Sequence, residues 1–357
     1  MSIELPVPLT VRNAAWKAAC GDAEVARIED CLDPRFPLEE LCRRAAQTTR
    51  ERFCGGGPRW RMLLYAPLYL SSHCLNHCLY CGFRAPQAIR RKHLSVAEAV
   101  RQVEILMGRS FRHILLVAGD FPRLTTTAYF AQVLREMTAR GVKAAIEIAP
   151  QSTESYAALA AAGACGLTLF QETYDKERYA HYHPQGTKAS YDWRLAAPQR
   201  AAEAGIRRLG LGFLLGLADP REDLLAMARH AAYLEDRFPG CTLGFSLPRI
   251  RQAPAGFVAP YTVDDDLLLR MYSALRLAFP GAMLVLSTRE HPELRNRLAK
   301  TCITQMSAGS STSPGGYGAD EVPGSCGQQF PVCDRRLPAE MADWLRGEGF
   351  DVSWLSA

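Results

Sequence analysis

The chain has 357 residues, of which 48% are apolar and 22% charged, with a formal net charge of +5. That composition supplies a large core and describes a globular protein, either two ordinary domains or one large barrel. The basic excess is small and interspersed with acidic residues, too weak to argue for nucleic acid, and the densest basic stretch, Arg84 to Lys92, reads as a solvated loop or helix start.

Met1 to Ala19 carries polar residues throughout and lacks the apolar core of a signal peptide. No apolar run approaches the ~18 residues of a membrane span, so a cytoplasmic protein is expected. Twelve cysteines is a high count for that compartment, where disulfides are rare. Cys20, Cys31, Cys42, Cys54, Cys165, Cys241 and Cys302 are scattered singly and read as small buried apolar residues.

In chain order, Met1–Arg59 reads as a helical extension. From there short β-rich runs alternate with amphipathic stretches. The strand candidates are Leu63–Leu70, Ile114–Ala118, Ala144–Ile148, Leu167–Phe170, Leu209–Leu215, Leu243–Leu247, Met283–Ser287 and Ile303–Ser307. Each is apolar and bounded by Gly, Pro or polar residues, as strands buried on both faces should be. Between them, Ser95-Val-Ala-Glu98 is a capping box, after which Val96, Val100, Val103 and Met107 share one helical face. Asp219-Pro220 offers a cap with proline at the first helical position. Tyr129–Arg140 and Tyr156–Ala162 end at Gly141 and Gly163, which fit glycine C-caps. Eight strand-then-helix units predict a (β/α)8 barrel over residues 60–308; the same alternation permits an open doubly wound sheet. Gly309–Ala357 reads as a loop and a last helix.

Just past the first strand, Cys74, Cys78 and Cys81 are spaced Cx3Cx2C in His73-CLNHCLYCGF-Arg84. Three thiolates on a short loop can hold three irons of a 4Fe–4S cubane and leave the fourth open to an external ligand. Zinc is the rival, with His73 or His77 as a fourth ligand, but the spacing fits zinc sites poorly.

Cx3Cx2C with an aromatic before the last cysteine resembles the radical S-adenosylmethionine motif. In that superfamily the open iron binds the cofactor's amino and carboxylate groups, and Tyr80 would lie against the adenine. From about Leu64 to Met341 the chain also resembles 2-iminoacetate synthase, the tyrosine lyase of thiazole (thiamine) biosynthesis. The stretches that carry it are LYAPLYLSSHCLNHCLYCGF, LFQETYDKERYAHYHPQGTK, AGIRRLGLGFLLGL, LSTRE and MSAGSSTSPGGY. The resemblance implies a complete barrel and a 5′-deoxyadenosyl radical that attacks tyrosine at its amino group. The Cα–Cβ bond then breaks to give 2-iminoacetate and 4-cresol. It further implies a thiazole synthase that receives the imine and a flavodoxin- or ferredoxin-type reductant.

Barrel active sites lie where strands end, and the residues expected there are Tyr69, Gly119, Asp120, Glu147, Glu172, Arg289 and Ser307. By resemblance Gly119 and Asp120 occupy the family's Gly-Glu position at the methionine ammonium, with Asp one methylene shorter than Glu. Glu172 and Arg194 are candidates for the ribose or methionyl end, with a structural ion pair as the alternative. Arg289 is a natural clamp for the substrate carboxylate, Ser307 a hydroxyl donor to the same group, and Tyr69 a neighbour of the amino acid's backbone end. The segment Pro323–Cys333 departs from the family's acidic stretch, and Cys326 and Cys333 look unrelated to its chemistry. Two relatives share the barrel. The hydrogenase maturase adds a C-terminal domain with a second cluster, for which this chain stops too early. A tryptophan lyase keeps the carboxylate clamp and is the rival on substrate.

Overall fold

The computed structural model describes residues 21–55, 57–253, 256–318 and 327–356; Cys20 and Cys326 lie outside them. Eight strands, β1 (Arg61–Ser71), β2 (His113–Ala118), β3 (Lys143–Glu147), β4 (Ala164–Glu172), β5 (Arg208–Phe213), β6 (Thr242–Ser246), β7 (Met283–Leu286) and β8 (Gln305–Ser307), pair in sequence order. All pairings are parallel, and β1 bonds to both β2 and β8, which closes the barrel. The two-residue period of a strand sorts β1 into two layers. Met62, Leu64, Ala66, Leu68 and Leu70 join the core between strands and helices. Tyr65 and Tyr69 point the other way and meet Leu115, Val117 and Ala145 in the lumen.

Local signals place the helices. Ser95 and Glu98 form the expected capping box on the helix Val96–Gly108. Asp219 caps Pro220–Arg237 by accepting from the amides of Arg221 and Glu222. Gly141 and Gly163 follow the helices Thr127–Ala139 and Thr153–Ala161 at φ 71° and 109°. One face is displaced from expectation: Val96–Gly108 buries Ala99, Gln102, Val103 and Leu106 rather than a valine stripe. Gln102 is drawn in because its side-chain oxygen accepts from the amide of Tyr317. The helices Asp22–Leu32 and Leu38–Phe53 pack outside the barrel on Asp265–Ala278, and Arg270 ties them there through the carbonyls of Cys31, Asp33 and Phe36.

The chain beyond β8 does more than form a loop and a helix. Tyr317 packs between β1 and the helix Val96–Gly108, its hydroxyl donating to the Pro67 carbonyl at 2.5 Å, and Gln329 and Phe330 stand at the barrel mouth. The chain then descends through the helix Pro338–Gly347 to a ninth strand, β9 (Asp351–Ser353), parallel to Arg61–Leu63 at the start of β1. Three residues are too few to show a strand period in sequence. What holds β9 is aromatic packing on either side, Trp60 on Phe350 at 5.1 Å and Trp354 on Phe111 at 5.0 Å. Among the described residues no helix is long and apolar enough to cross a membrane.

Candidate active site at the barrel mouth

The cysteine loop leaves β1 and is fixed by bonds from its backbone to three other loops. Leu75 N donates to the Asp120 carbonyl at 3.0 Å, Leu79 N to that of Tyr182 at 3.1 Å, and Gly82 N to that of Gln329 at 3.2 Å. Arg91 binds the carbonyls of Ser72, Phe83, Arg84 and Gln87 with one guanidinium. Gly119, at the end of β2, has to lack a side chain, because a Cβ there would lie 2.4 Å from the His73 carbonyl oxygen and 3.1 Å from Cys74 Cβ.

Cys78 is buried, while Cys74 and Cys81 are half-buried. Burial pushes the Cys78 thiol up to about 12 and the Cys81 thiol up to about 11, with Cys81 and Cys74 adding to the effect at Cys78 and Cys74 at Cys81. Thiols as dry as Cys78 and Cys81 ionise when a cation shares the site, and with Cys74 on the same loop they make the donor set of an iron–sulfur cluster. Among the described residues no three or more of His, Cys, Asp and Glu converge on one point as ligands of a single zinc ion must. Cubane ligands each hold a different iron and need not converge. The residues fit a 4Fe–4S cluster.

Beside the loop lies a buried charge network. Glu172 ends β4 at φ 73°, where a bulge opens between Phe170 and Glu172. Its carboxylate meets Lys188 Nζ at 2.5 Å and Arg194 Nη2 at 3.4 Å. Burial alone would raise its pKa, but Lys188 and Arg194 override that and hold it at about 2. Arg194 also donates to the Phe170 carbonyl at 2.7 Å. Asn76, inside the cysteine loop, donates to Asp120 at 3.1 Å and accepts from the amide of Lys188 at 2.8 Å. Asp120 also accepts from the Thr187 hydroxyl, and burial raises its pKa.

Tyr80 is 2% exposed, and its hydroxyl lies 2.7 Å from His183 Nε2. His183 Nδ1 faces the Tyr179 carbonyl at 2.7 Å, which can only accept. Nδ1 therefore carries the proton and Nε2 accepts from Tyr80. Burial pushes the His183 imidazole down to about 3, which keeps it neutral. Lys188, Asn76 and His183 escaped sequence analysis. Each stands in a stretch that carries the family resemblance, but without a spacing of its own that marks it.

Across the mouth, the Arg289 guanidinium stacks 3.5 Å from the Phe330 ring. Among the described residues it makes no hydrogen bond or ion pair. Its neighbour Glu290 is engaged elsewhere, by Arg249 Nε at 3.0 Å and Arg251 Nη1 at 3.2 Å. Ser307 Oγ, at the end of β8, is buried without a partner in good hydrogen-bond geometry. The Tyr69 hydroxyl donates to Gln329 Oε1 at 2.6 Å. Glu147 ends β3 and lines the lumen, and burial pushes its carboxyl up to about 7 against the pull of Arg289. The lumen itself is a cavity of ≈ 70 Å³, opened by Ala145, Gly166, Gly210 and Gly244 where a barrel usually carries branched residues. Gln329 and Phe330 come from the C-terminal segment, and Cys333 stands exposed beyond them.

This geometry agrees with the relatives of the chain. Residues 68–231 match the radical SAM superfamily and residues 246–351 the biotin and thiamin synthesis associated domain. The chain is 36% identical over 318 residues to 2-iminoacetate synthase of Escherichia coli, covering 89% of this chain and 82% of that one. The Salmonella typhimurium 2-iminoacetate synthase is 35% identical over the same shares. Among solved structures, HydG, a maturase of the [FeFe]-hydrogenase, superposes with a TM-score of 0.83 at 32% identity, covering 96% of this chain and 78% of that one. With three thiols on one loop, a closed barrel around them and this degree of identity, the chain belongs to the 2-iminoacetate synthase family of radical SAM enzymes, which work with a 4Fe–4S cluster and S-adenosylmethionine.

Proposed function

We propose that this enzyme cleaves the Cα–Cβ bond of L-tyrosine to give 2-iminoacetate and 4-cresol for thiazole biosynthesis. The observation that carries it is the unpaired Arg289 guanidinium at the mouth of the barrel that bears the cysteine loop. A half-buried guanidinium without a counter-ion is an invitation to a carboxylate, and its planar fork fixes direction as well as charge. The cluster and S-adenosylmethionine, when bound, supply a 5′-deoxyadenosyl radical that takes a hydrogen atom from the amino group of the substrate.

The residues divide the work. Cys74, Cys78 and Cys81 hold the cluster. The Gly119 carbonyl and Asp120 meet the methionine ammonium, with Asp120 held by Thr187 and Asn76. Glu172, kept ionised by Lys188 and Arg194, is the acceptor for the ribose or methionyl end. Tyr80 lies against the adenine, fixed by its bond to His183. Glu147 completes the cofactor side. Arg289 clamps the tyrosine carboxylate with the Ser307 hydroxyl as second donor, and Tyr69, steadied by Gln329, flanks the backbone end. The barrel of residues 60–308 carries the chemistry, the described helices of the 1–59 extension brace it, and the described residues of 309–357 cover it. An unstable imine calls for a receiving thiazole synthase, and the cluster calls for a one-electron reductant of flavodoxin or ferredoxin type.

The test is to incubate the reduced, cluster-loaded enzyme with S-adenosylmethionine and tyrosine. 5′-Deoxyadenosine, 4-cresol and glyoxylate, the last from hydrolysis of the imine, are expected. Consumption of tryptophan with no cresol from tyrosine would overturn the substrate and leave the reaction class.

A further inference from the structure

At the end of the barrel opposite the cysteine loop there is a second pocket, of ≈ 610 Å³. Among the described residues, Arg52, Arg59, Arg61, Arg207 and Arg208 line it with one acid, Asp351. Arg61 lies 3.8 Å from that acid, and among the described residues the other four make no ion pair. Arg208 Nη1 is buried with no hydrogen-bond partner, and so is the hydroxyl of Ser356, itself 5% exposed. The room beside Arg208 depends on Gly166 in the next strand, where a Cβ would come within 3.0 Å of Arg208 Cβ. Guanidinium groups gathered without counter-ions repel one another, and a buried donor without an acceptor is unfavourable. An oxyanion relieves both, and arginine's fork matches carboxylate and phosphate alike.

We propose that this pocket in the barrel floor is a binding site for a small oxyanion, a phosphate or a short carboxylate, held by Arg208 with Arg59 and Arg207. It lies at the strand starts, away from the barrel mouth. Arg208, Thr242 and Met283 line both this pocket and the lumen cavity. An oxyanion can therefore reach Arg208 from solvent or, on the function proposed above, as the carboxylate product descending the lumen.

Calorimetric titration of the cluster-loaded enzyme with inorganic phosphate and, separately, with glyoxylate tests the site. Neither titration requires S-adenosylmethionine, reductant or turnover, so its failure leaves the lyase assignment standing. Saturable binding that weakens with added salt is expected. Arg208→Gln should weaken it about tenfold or more, as loss of a charge-assisted bond does, and Arg59→Ala about threefold. Phosphate binding alone marks an oxyanion taken from solvent; glyoxylate binding as tight or tighter marks one supplied by the lumen. Should Arg208→Gln lose iron or melting temperature, the Arg59→Ala/Arg207→Ala double variant decides in its place. No saturable binding of either anion to the wild type, or unchanged binding in folded variants, overturns the proposal.

Discussion

Arg289 is held by a ring beneath it and, among the described residues, by no ion pair, which makes its role separable from stability. Lysine would keep the charge but lose the fork and the stacking. Arg289→Lys should therefore keep its iron content and melting temperature while tyrosine turnover falls about a hundredfold, the scale of a small misplacement of reacting groups. The ratio of 5′-deoxyadenosine to cresol should rise as the radical quenches elsewhere. An Arg289 that served only in a rim ion pair would show the reverse, a lower melting temperature with wild-type coupling. Glu147 gives a test by pH. Its carboxyl, at about 7 in the fold against an ordinary 4.5, holds a proton that the unfolded chain has released. Relative to acid conditions it costs stability, progressively as pH rises through that window and fully above it. Glu147→Gln should melt increasingly above wild type between about pH 5 and about pH 8; a constant gap would mean the group titrates normally.

At the scale of elements, the cysteine loop takes its shape from contact with its neighbours. It has no regular secondary structure between β1 and the helix at Val96, and so depends on Arg91 and on the close approach of Gly119. Gly119→Ala puts a methyl group into the His73 carbonyl and against Cys74, where backbone has to move. The expected outcome is a folded barrel with most of its iron lost. Gly240→Ala, where a Cβ would meet nothing within 4 Å, should keep its iron and serves as the control. Iron content and the cluster's visible absorbance measure both.

At the scale of the molecule, the C-terminal segment ties mouth, flank and floor together. Asp334 and Arg295 form an ion pair in which the side chains are 0% and 1% exposed. Arg336 adds a second cation at 2.6 Å, and the amides of Cys333 and Asp334 both donate to the Thr288 carbonyl, next to Arg289. Asp334→Asn leaves Arg295 buried without a counter-charge, a change that costs about 3–5 kcal/mol. Because that anchor follows Gln329 and Phe330 directly in the chain, the variant should also lose coupling of 5′-deoxyadenosine to cresol. Unfolding with denaturant and the product ratio together check it; an unchanged midpoint would show that the pair contributes no net stability.

What the sequence by itself determined was local. Apolar runs of strand length, Ser95 with Glu98, Asp219 before Pro220 and glycines after helices each act over a few residues, and they suffice for eight strand-then-helix units, whose closure rests on the pairing of β1 with β8. The Cx3Cx2C spacing is local in the same way, and with the family stretches around it the cluster, the cofactor and the reaction class are legible. Tertiary structure decided what depends on distant pairs. Tyr69 meets Gln329 across 260 residues of chain, Asn76 meets Lys188 across 112, and Arg289 finds Phe330 in the C-terminal segment. The ninth strand is three residues long and exists because aromatic packing presses it onto the start of β1. The charge state of Glu172 likewise depends on two cations brought to it by folding, since burial alone would have neutralised it.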